Sequence, residues 1–541
     1  MAKDLYIIGD SAFPSSDYGS EAYLSDWPML YILEDGRHAY IGQSTDVRNR
    51  MLQHSATPGK EIFDHVHFIY CDHFNQSVTF DYESKLIQFF SADGKYVLTN
   101  KNGGLFNKNY YDKGKYDKRF DQLWRKLLEK QLADHTLKYL QNSEFFKYSP
   151  YKALNNDQRE IANDIVNILC DCNPTPIIIH GLPGTGKTIL AVYLIKYIKD
   201  YQADDYGEKI FKNKKIGLVI PQTALRTTIK KLFRNIEGLS PDDVIGPGEV
   251  VKQKYDILLV DEAHRLHKRK NITNYRDHDK NNMRLGLPKD ATELDWILST
   301  CDMPVLFFDN NQVIGPSGIN ASDVKDLFLK TRGIDINEIP HFHLKTEMRV
   351  EGGEDYIQYV LDILNNNVKE KMLFDNYEFC LCDSFADFNR LLYEKENKYG
   401  LCRMVAGYAW PWKSKDDKSL VDMTIEGITK QWNYKTQNWI NIDHSIDQVG
   451  CIHSIQGYDL NYCFVILGND ISFDKERKTI IINEKSYFDQ KGKNTATKEE
   501  LTEYIKNIYY VLMTRGIKGT YLYICDEGLR EYIKQYVGEI V

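Results

Sequence analysis

Nowhere in the 541 residues is there an apolar run approaching the roughly 20 side chains that a membrane-spanning helix requires, and the opening MAKDLYIIGDSAF has no basic patch leading into a long apolar stretch. A cytoplasmic protein with no membrane partner is expected. Cysteine is scarce. Ten thiols in a chain of this length do not frame a disulfide scaffold, and Cys170/Cys172 and Cys380/Cys382 lack the CxxC spacing favoured by zinc ribbons, so they read as buried free thiols. Low-complexity bias is missing too: 34 Gly and 15 Pro are ordinary for a folded chain, which excludes disorder as the main state. Nor is there an excess of positive charge. With 69 Lys and Arg against 77 Asp and Glu the formal charge is -8, which argues against indiscriminate coating of DNA but leaves room for a basic groove in an acidic enzyme. No internal repeat of fixed period is visible.

The length exceeds what one hydrophobic core serves, and about three folding units are expected. Residues 1–105 alternate short apolar strands with Gly and Asn turns, as a compact α+β unit would. Residues 106–150 turn charged and helix-prone, with apolar residues at three- and four-residue steps in YDKRFDQLWRKLLEKQLADHTLKYLQ, and read as a helical connector. Beyond them the apolar runs PIIIHG, IGLVIP, YDILLVDEA and MPVLFFDN, then CRMVAGYA, NYCFVILG and GTYLYICD, each precede a turn and a helical pattern. Strands alternating with helices imply parallel sheets, here two α/β lobes over residues 151–335 and 336–541.

In the first lobe, Gly181-Leu182-Pro183-Gly184-Thr185-Gly186-Lys187-Thr188 stands between an apolar strand and a helix, the context a phosphate-binding loop requires. Glycines let backbone N–H groups curl round phosphates at a helix N-terminus, Lys187 would reach the outer phosphates, and the Thr188 hydroxyl would ligate Mg²⁺. YDILLVDEAH then carries Asp261 and Glu262 out of the C-terminal end of a strand, where Asp261 can hold Mg²⁺ and Glu262 can polarise the attacking water. ATP with Mg²⁺ is thus the expected cofactor.

Over about residues 150–535 the sequence resembles superfamily 1 helicases, and more closely a P-loop family related to the Schlafen helicase-like domain. The resemblance implies further roles in motif order. LNNDQREI resembles an adenine-reading motif with Gln158; PQTALR, Pro221 to Arg226, resembles a strand-contacting motif; and FFDNNQ supplies Asp309 and Gln312 as a sensor. LKTEMRV puts Arg349 in the place of an arginine finger, IHSIQGYDL offers His453, Gln456, Gly457 and Asp459, and YYVLMTRGIKG offers Arg515 as a second phosphate-sensing arginine. A guanidinium fork suits charge spread over a transferring phosphoryl group. His264 stands where many superfamily 1 members carry Gln.

Near the N-terminus, MLYILEDGRHAYIGQSTDVRNRMLQH reads as a strand, a tight Asp35-Gly36 hairpin, a second strand and a helix, with Tyr31 and Tyr40 on adjacent strands and Arg50 and His54 one helical turn apart. TFDYESKLIQFF is a further helix, carrying Glu83. These positions, with Asn100, resemble the GIY-YIG nuclease family: YIG matches at Tyr40 to Gly42, whereas the first triplet reads Met29-Leu30-Tyr31. The resemblance implies one Mg²⁺ or Mn²⁺ on Glu83, water activation by Tyr31, charge stabilisation by Arg50, and orientation and proton transfer by Tyr40 and His54.

The fold expected is α/β, a small α+β GIY-YIG nuclease domain followed by two RecA-like parallel-sheet lobes. The function expected is an ATP-dependent helicase or translocase coupled to a metal-dependent nuclease, acting on DNA in repair, restriction or anti-phage defence. The alternatives are an ATP-gated switch that licenses the nuclease without unwinding, an RNA-directed nuclease, and a scaffold whose nuclease has lost activity. Two features stay open: the basic segment HRLHKRKNITNYRDHDKNNMR as a nucleic-acid contact or solvated loop, and Trp410-Pro411-Trp412 as a base-stacking platform or aromatic corner.

Overall fold

The N-terminal strands assemble around the most apolar of them. In this computed structural model, which describes residues 5–15, 18, 24–100, 103, 110–141, 143–151, 154–170, 175–202, 211, 213–435, 439–455 and 458–539, one sheet runs in the order β1-β4-β2-β3-β5. Its strands are β1 (Ile7–Ala12), β2 (Met29–Glu34), β3 (His38–Ser44), β4 (His65–Tyr70) and β5 (Val97–Leu98). Central β2 is buried along its first five residues, as its unbroken apolar run requires. It pairs antiparallel with β3, Glu34 opposite Ala39, so the turn spans residues 35–38 and is wider than the Asp35-Gly36 pair suggests. Asp35 accepts from the Arg37 amide at 2.8 Å, and Gly36 takes the positive φ (+80°) that glycine adopts without strain.

The helix α1 (Val47–Ser55) starts at Asp46, whose side chain caps the Asn49 amide, and α2 (Gln76–Asp93) starts at Asn75, which caps Val78. The connector folds as α3 (Lys113–Glu129), α4 (Leu137–Gln141) and α5 (Glu144–Lys147). The α3 stripe Phe120, Leu123, Trp124 and Leu127 is buried; Phe89 of α2 lies 5.5 Å from Trp124 and 4.6 Å from Phe146, ring to ring. The helix that carries Glu83 is therefore fixed by aromatic packing as well as by β3.

By compactness the chain forms two units that do not follow chain order. The first joins Met1–Cys172 to Thr188–Leu218 and Arg226–Ile245; the second comprises Asn173–Lys187, Val219–Leu225 and Gly246–Val541. Besides the N-terminal sheet and connector, the first holds α6 (Asn156–Cys170), most of α7 (Lys187–Gln202), β7 (Ile216–Val219) and α8 (Thr223–Phe233), and β8 (Val244–Ile245).

The second unit contains two parallel sheets. In one, β6 (Ile177–Gly181), β9 (Tyr255–Val260), β10 (Cys301–Phe308) and β11 (His341–Leu344) lie in the order β11-β6-β10-β9. The boundary expected near residue 335 assigns β11 to the later lobe, yet it pairs with β6, Leu344 opposite Gly181. In the other sheet, β12 (Glu378–Leu381), β13 (Cys402–Ala406), β16 (Val449–Gly450), β17 (Leu460–Leu467), β20 (Gly516–Ile524) and β21 (Gly538–Glu539) run in the order β16-β13-β17-β20-β12-β21. Small hairpins form from β14 (Met423–Ile425) with β15 (Ile428–Lys430) and from β18 (Ile471–Asp474) with β19 (Thr479–Ile482). One face of this sheet buries Tyr356, Val360, Val465 and Tyr509, the other Phe388, Met404, Phe464 and Trp432. The chain is thus mixed α/β with parallel sheets. Among the described residues no helix is long and apolar enough to cross a membrane.

Candidate functional site

At the C-terminal end of β6 the chain turns through the glycine-rich loop, with Gly184 and Gly186 at φ of +89° and +80°. A Cβ at 184 would also overlap the Glu347 carboxylate, so both conformation and space require glycine there. Lys187 is buried and folds back on the loop, its Nζ donating to the carbonyls of Gly181 (2.6 Å) and Leu182 (3.1 Å) and lying 3.6 Å from Asp309 Oδ2. The Thr185 hydroxyl donates to the Leu182 carbonyl at 2.9 Å. Thr188 is the second residue of α7.

Neighbouring strands deliver the carboxylates. Asp261, directly after β9, is fully buried; its amide donates to Val219 O at 3.0 Å, and its Oδ1 accepts from the Glu262 amide at 3.0 Å. Glu262 sits in the left-handed region (φ 50°, ψ 47°), which a non-glycine residue seldom adopts and which is favoured at functional turns. Its Oε2 lies 2.9 Å from Nε2 of His264 and 3.7 Å from Nε of Arg265. Burial pushes the Glu262 carboxyl upward, but His264 above all, then Arg265 and Lys187, outweigh it and hold it well below the usual carboxylate range. After β10, Asp309 accepts from Gln312 Nε2 at 2.7 Å and from the Asn311 amide.

Two arginines come from the segment after β11 and from the position directly before β20. Arg515 stands between helix Lys498–Met513 and β20, buried, with Nη2 3.5 Å from Gln312 Oε1. Burial, reinforced by Arg349 nearby, brings its guanidinium down to about 10. Arg349 Nε lies 2.6 Å from Asp459 Oδ1. Asn507 of the same helix donates to Val313 O at 2.9 Å, directly beyond the Gln312 turn. One cluster thus brings together Gly181, Gly184, Thr185, Gly186, Lys187, Asp261, Glu262, Asp309, Gln312, Arg349 and Arg515. Gln158 is buried in the first turn of α6, where its side chain accepts from the Asn155 amide and its amide donates to Asn155 Oδ1. His453 is exposed, its ring 6.2 Å from that of Tyr408, and Gln456 and Gly457 lie outside the described residues.

A second cluster forms on the N-terminal sheet. Tyr31 is opposite Gly42 and Leu33 opposite Tyr40, so the two tyrosines are diagonal neighbours on one face, rings 6.4 Å apart. From α1, His54 Nε2 meets the Tyr31 hydroxyl at 2.8 Å, and Arg50 Nε lies 3.4 Å from the same oxygen. A Cβ at Gly42 would overlap the Tyr31 hydroxyl, a physical reason for glycine in the YIG triplet. Asn100 braces the strand, accepting from the Ile41 amide at 3.1 Å and donating to the Ile41 carbonyl at 2.8 Å. Half-buried Glu83 is raised to about 7 by burial, with Arg50 pulling the other way; burial lowers His54 to about 4, with Arg50 and Lys60 adding to it.

Sequence reasoning missed two residues here. Lys60, in the loop after α1, holds its ammonium 3.1 Å from the centre of the Tyr40 ring and is brought down to about 7 by burial. Glu347, two residues before Arg349, lies against Gly184 and accepts from the amides of Arg349 (2.7 Å) and Val350 (3.0 Å). Only the fold brings either into place.

Among the described residues no group of three or more His, Cys, Asp or Glu is arranged to hold a metal by itself. The donors fit a cation completed by other ligands: Asp261 is a buried carboxylate directly after β9, and Glu83 is a half-buried one whose ionised form a cation would stabilise. Trp412 packs edge-on to Trp432 at 6.1 Å as part of an aromatic corner, while Arg269 pairs with Asp279 and lies over the exposed Tyr275.

Comparison with known proteins gives a family match: residues 174–526 fit the family described as Schlafen group 3, DNA/RNA helicase domain. A Saccharomyces cerevisiae protein, uncharacterized protein YPL245W, is 25% identical over 406 residues, covering 66% of this chain and 84% of its own. Among solved structures, Bacteroides Pif1 bound to single-stranded DNA is 10% identical with a TM-score of 0.25, covering 68% of this chain and 92% of its own. A DEAD box protein from Methanococcus jannaschii is 15% identical with a TM-score of 0.23, covering 73% and 99%.

Proposed function

Because the chain belongs, over residues 174–526, to the Schlafen group 3 DNA/RNA helicase domain family, we propose that it is an ATP-driven nucleic-acid motor whose N-terminal sheet carries a GIY-YIG-type nuclease. The observation that carries the motor reading is the convergence of Lys187, Asp261, Glu262, Asp309 and Gln312 from one parallel sheet with Arg349, in the segment after β11, and Arg515, directly before β20. Phosphoryl transfer needs positioning and charge neutralisation more than covalent chemistry, and this set supplies both. The glycine-rich loop and Lys187 would hold the phosphates, Thr188 and Asp261 would hold Mg²⁺, and Glu262, kept ionised, would orient the water. Arg349 and Arg515 would neutralise charge on the transferring phosphoryl group, coupling hydrolysis to the second sheet through Arg515.

The nuclease reading rests on the Tyr31, Tyr40, Arg50, His54 and Glu83 cluster. Mg²⁺ or Mn²⁺ on Glu83 would supply Lewis acidity toward a phosphodiester oxygen. Tyr31, hydrogen-bonded to His54, would align the attacking water, and Arg50 would neutralise the oxyanion. The substrate proposed is DNA, in repair, restriction or phage defence, with RNA as the comparison.

Steady-state ATP hydrolysis with and without single-stranded DNA or RNA tests the motor. Lys187→Ala and Glu262→Gln are expected to lower kcat at least a hundredfold, with wild-type hydrolysis stimulated by a strand. No hydrolysis by the wild type, or hydrolysis indifferent to both substitutions, would refute it.

A further inference from the structure

The N-terminal sheet does not end at β5. The segment that leaves α8 runs alongside it: the Leu98 amide donates to Asn235 O at 3.2 Å, the Glu237 amide donates to Leu98 O at 3.2 Å, and Leu98 and Ile236 form a parallel bridge. Both apolar side chains are buried, at 0% and 1% exposure, so the contact is a packed junction. Asn235 also reaches Gly94, the residue that ends α2, approaching the position a Cβ would take to 2.9 Å. The α2 helix carries Glu83.

From that junction the bonds run inward to the nuclease-like cluster. β5 pairs in parallel with β3, Leu98 opposite Ala39, and the Thr99 amide donates to Ala39 O at 2.9 Å. Asn100, two residues past Leu98, clasps both backbone groups of Ile41, and the Tyr151 hydroxyl holds the Asn100 carbonyl at 2.7 Å. Ile41 lies between Tyr40 and Gly42. Glu237 reaches the same place electrostatically, acting on Lys60, whose ammonium covers the Tyr40 ring. Residues 226–245 accordingly belong to the same compact unit as residues 1–172.

We propose that residues 235–237 act as an added edge strand of the N-terminal sheet and are the positioning element by which α8, the helix opened by the PQTALR segment, sets the register of β3 and hence of Tyr40. The nuclease consequence rests on the reading above, but the linkage itself does not. An edge strand transmits displacement because its main-chain bonds fix both position and register, whereas a flexible tether would not.

The test is hydrogen exchange of the full-length protein, read at the Leu98 and Ile41 amides. Glu237→Pro removes the amide that donates to Leu98, and Glu237→Gln keeps it. The proline variant is expected to raise exchange at both amides at least tenfold, the glutamine variant by less than twofold. Ile236→Ala, which keeps the main-chain bonds, guards against misfolding and should raise both amides at least threefold. Where wild type cleaves nucleic acid, cleavage should fall in step with Ile41 protection. Exchange that rises at Leu98 while Ile41 is unchanged in the proline and alanine variants would overturn the linkage, as would equal effects of proline and glutamine. Absence of cleavage in every variant with the exchange pattern intact would instead retire the nuclease reading alone.

Discussion

The Glu262 carboxylate lies 2.9 Å from Nε2 of His264, two residues farther along the turn after β9. Burial alone would raise this carboxyl, and His264 is the largest of the neighbours that hold it down. In His264→Ala the largest opposing interaction is lost while burial stays, so the Glu262 pKa is expected to rise. The acid limb of the ATPase pH profile is expected to move up by at least one unit, with kcat on that limb falling about tenfold for each unit of pH below the raised pKa. An unshifted acid limb would show that His264 does not set the charge of Glu262.

Glu83 gives a second pH dependence. Burial raises it to about 7, Arg50 only partly opposing, and a metal ligand must be ionised. With metal below saturation, where protons and cation compete for Glu83, cleavage is expected to climb with pH through about 7, and saturating metal should move the climb to lower pH. In Arg50→Lys, which keeps a cation but loses the fork near Tyr31, the climb should persist with a lower plateau; in Glu83→Gln cleavage should vanish at every pH.

Gly42 and Gly9 make a matched pair for stability. A methyl group at 42 would overlap the Tyr31 hydroxyl, whereas at Gly9 nothing lies within 4 Å. Thermal melts should place Gly42→Ala below wild type by about 1–3 kcal/mol, the usual cost of overpacking, and Gly9→Ala within about 0.5 kcal/mol of it. Equal melting would mean that Tyr31 is free to move aside.

Asp470, wholly buried after β17, is raised to about 7 by burial, and its Oδ1 accepts from the Tyr509 hydroxyl at 2.6 Å. An acid whose folded pKa lies above its unfolded value binds more protons when folded, so its contribution to stability is present at low pH and lost as pH rises from about 4 through 7. Asp470→Asn removes this loss and should be the more stable at pH 8, by at most about 4 kcal/mol, with no advantage at pH 4. Parallel stability curves for the two proteins would contradict the assignment.

What the sequence disclosed and withheld divides along physical lines. The phosphate loop, the DEAH strand end and the YIG strand were legible because each is a contiguous stretch whose residue types follow from local geometry: Gly184 from a positive φ, Gly42 from the phenol facing it. The pairing of Arg50 and His54 followed from helical spacing alone, and both indeed reach Tyr31. Lys60 and Glu347 were invisible because neither belongs to a periodic element; the fold alone carries Lys60 over Tyr40 and Glu347 against Gly184. The sheet that β11 joins is illegible in the sequence for a related reason. A four-residue strand carries no marker of which sheet it joins, and its pairing with β6 is decided by tertiary packing.

Cleavage of single-stranded, duplex and forked DNA and of RNA, with Mg²⁺ and with or without ATP, tests the central claim most directly when wild type, Glu83→Ala and Lys187→Ala are compared. Glu83→Ala is expected to abolish cutting in all conditions, and Lys187→Ala to leave only the ATP-independent remainder. Cutting that survives Glu83→Ala, or that is identical in wild type and Lys187→Ala with ATP present, would contradict a nuclease coupled to this motor.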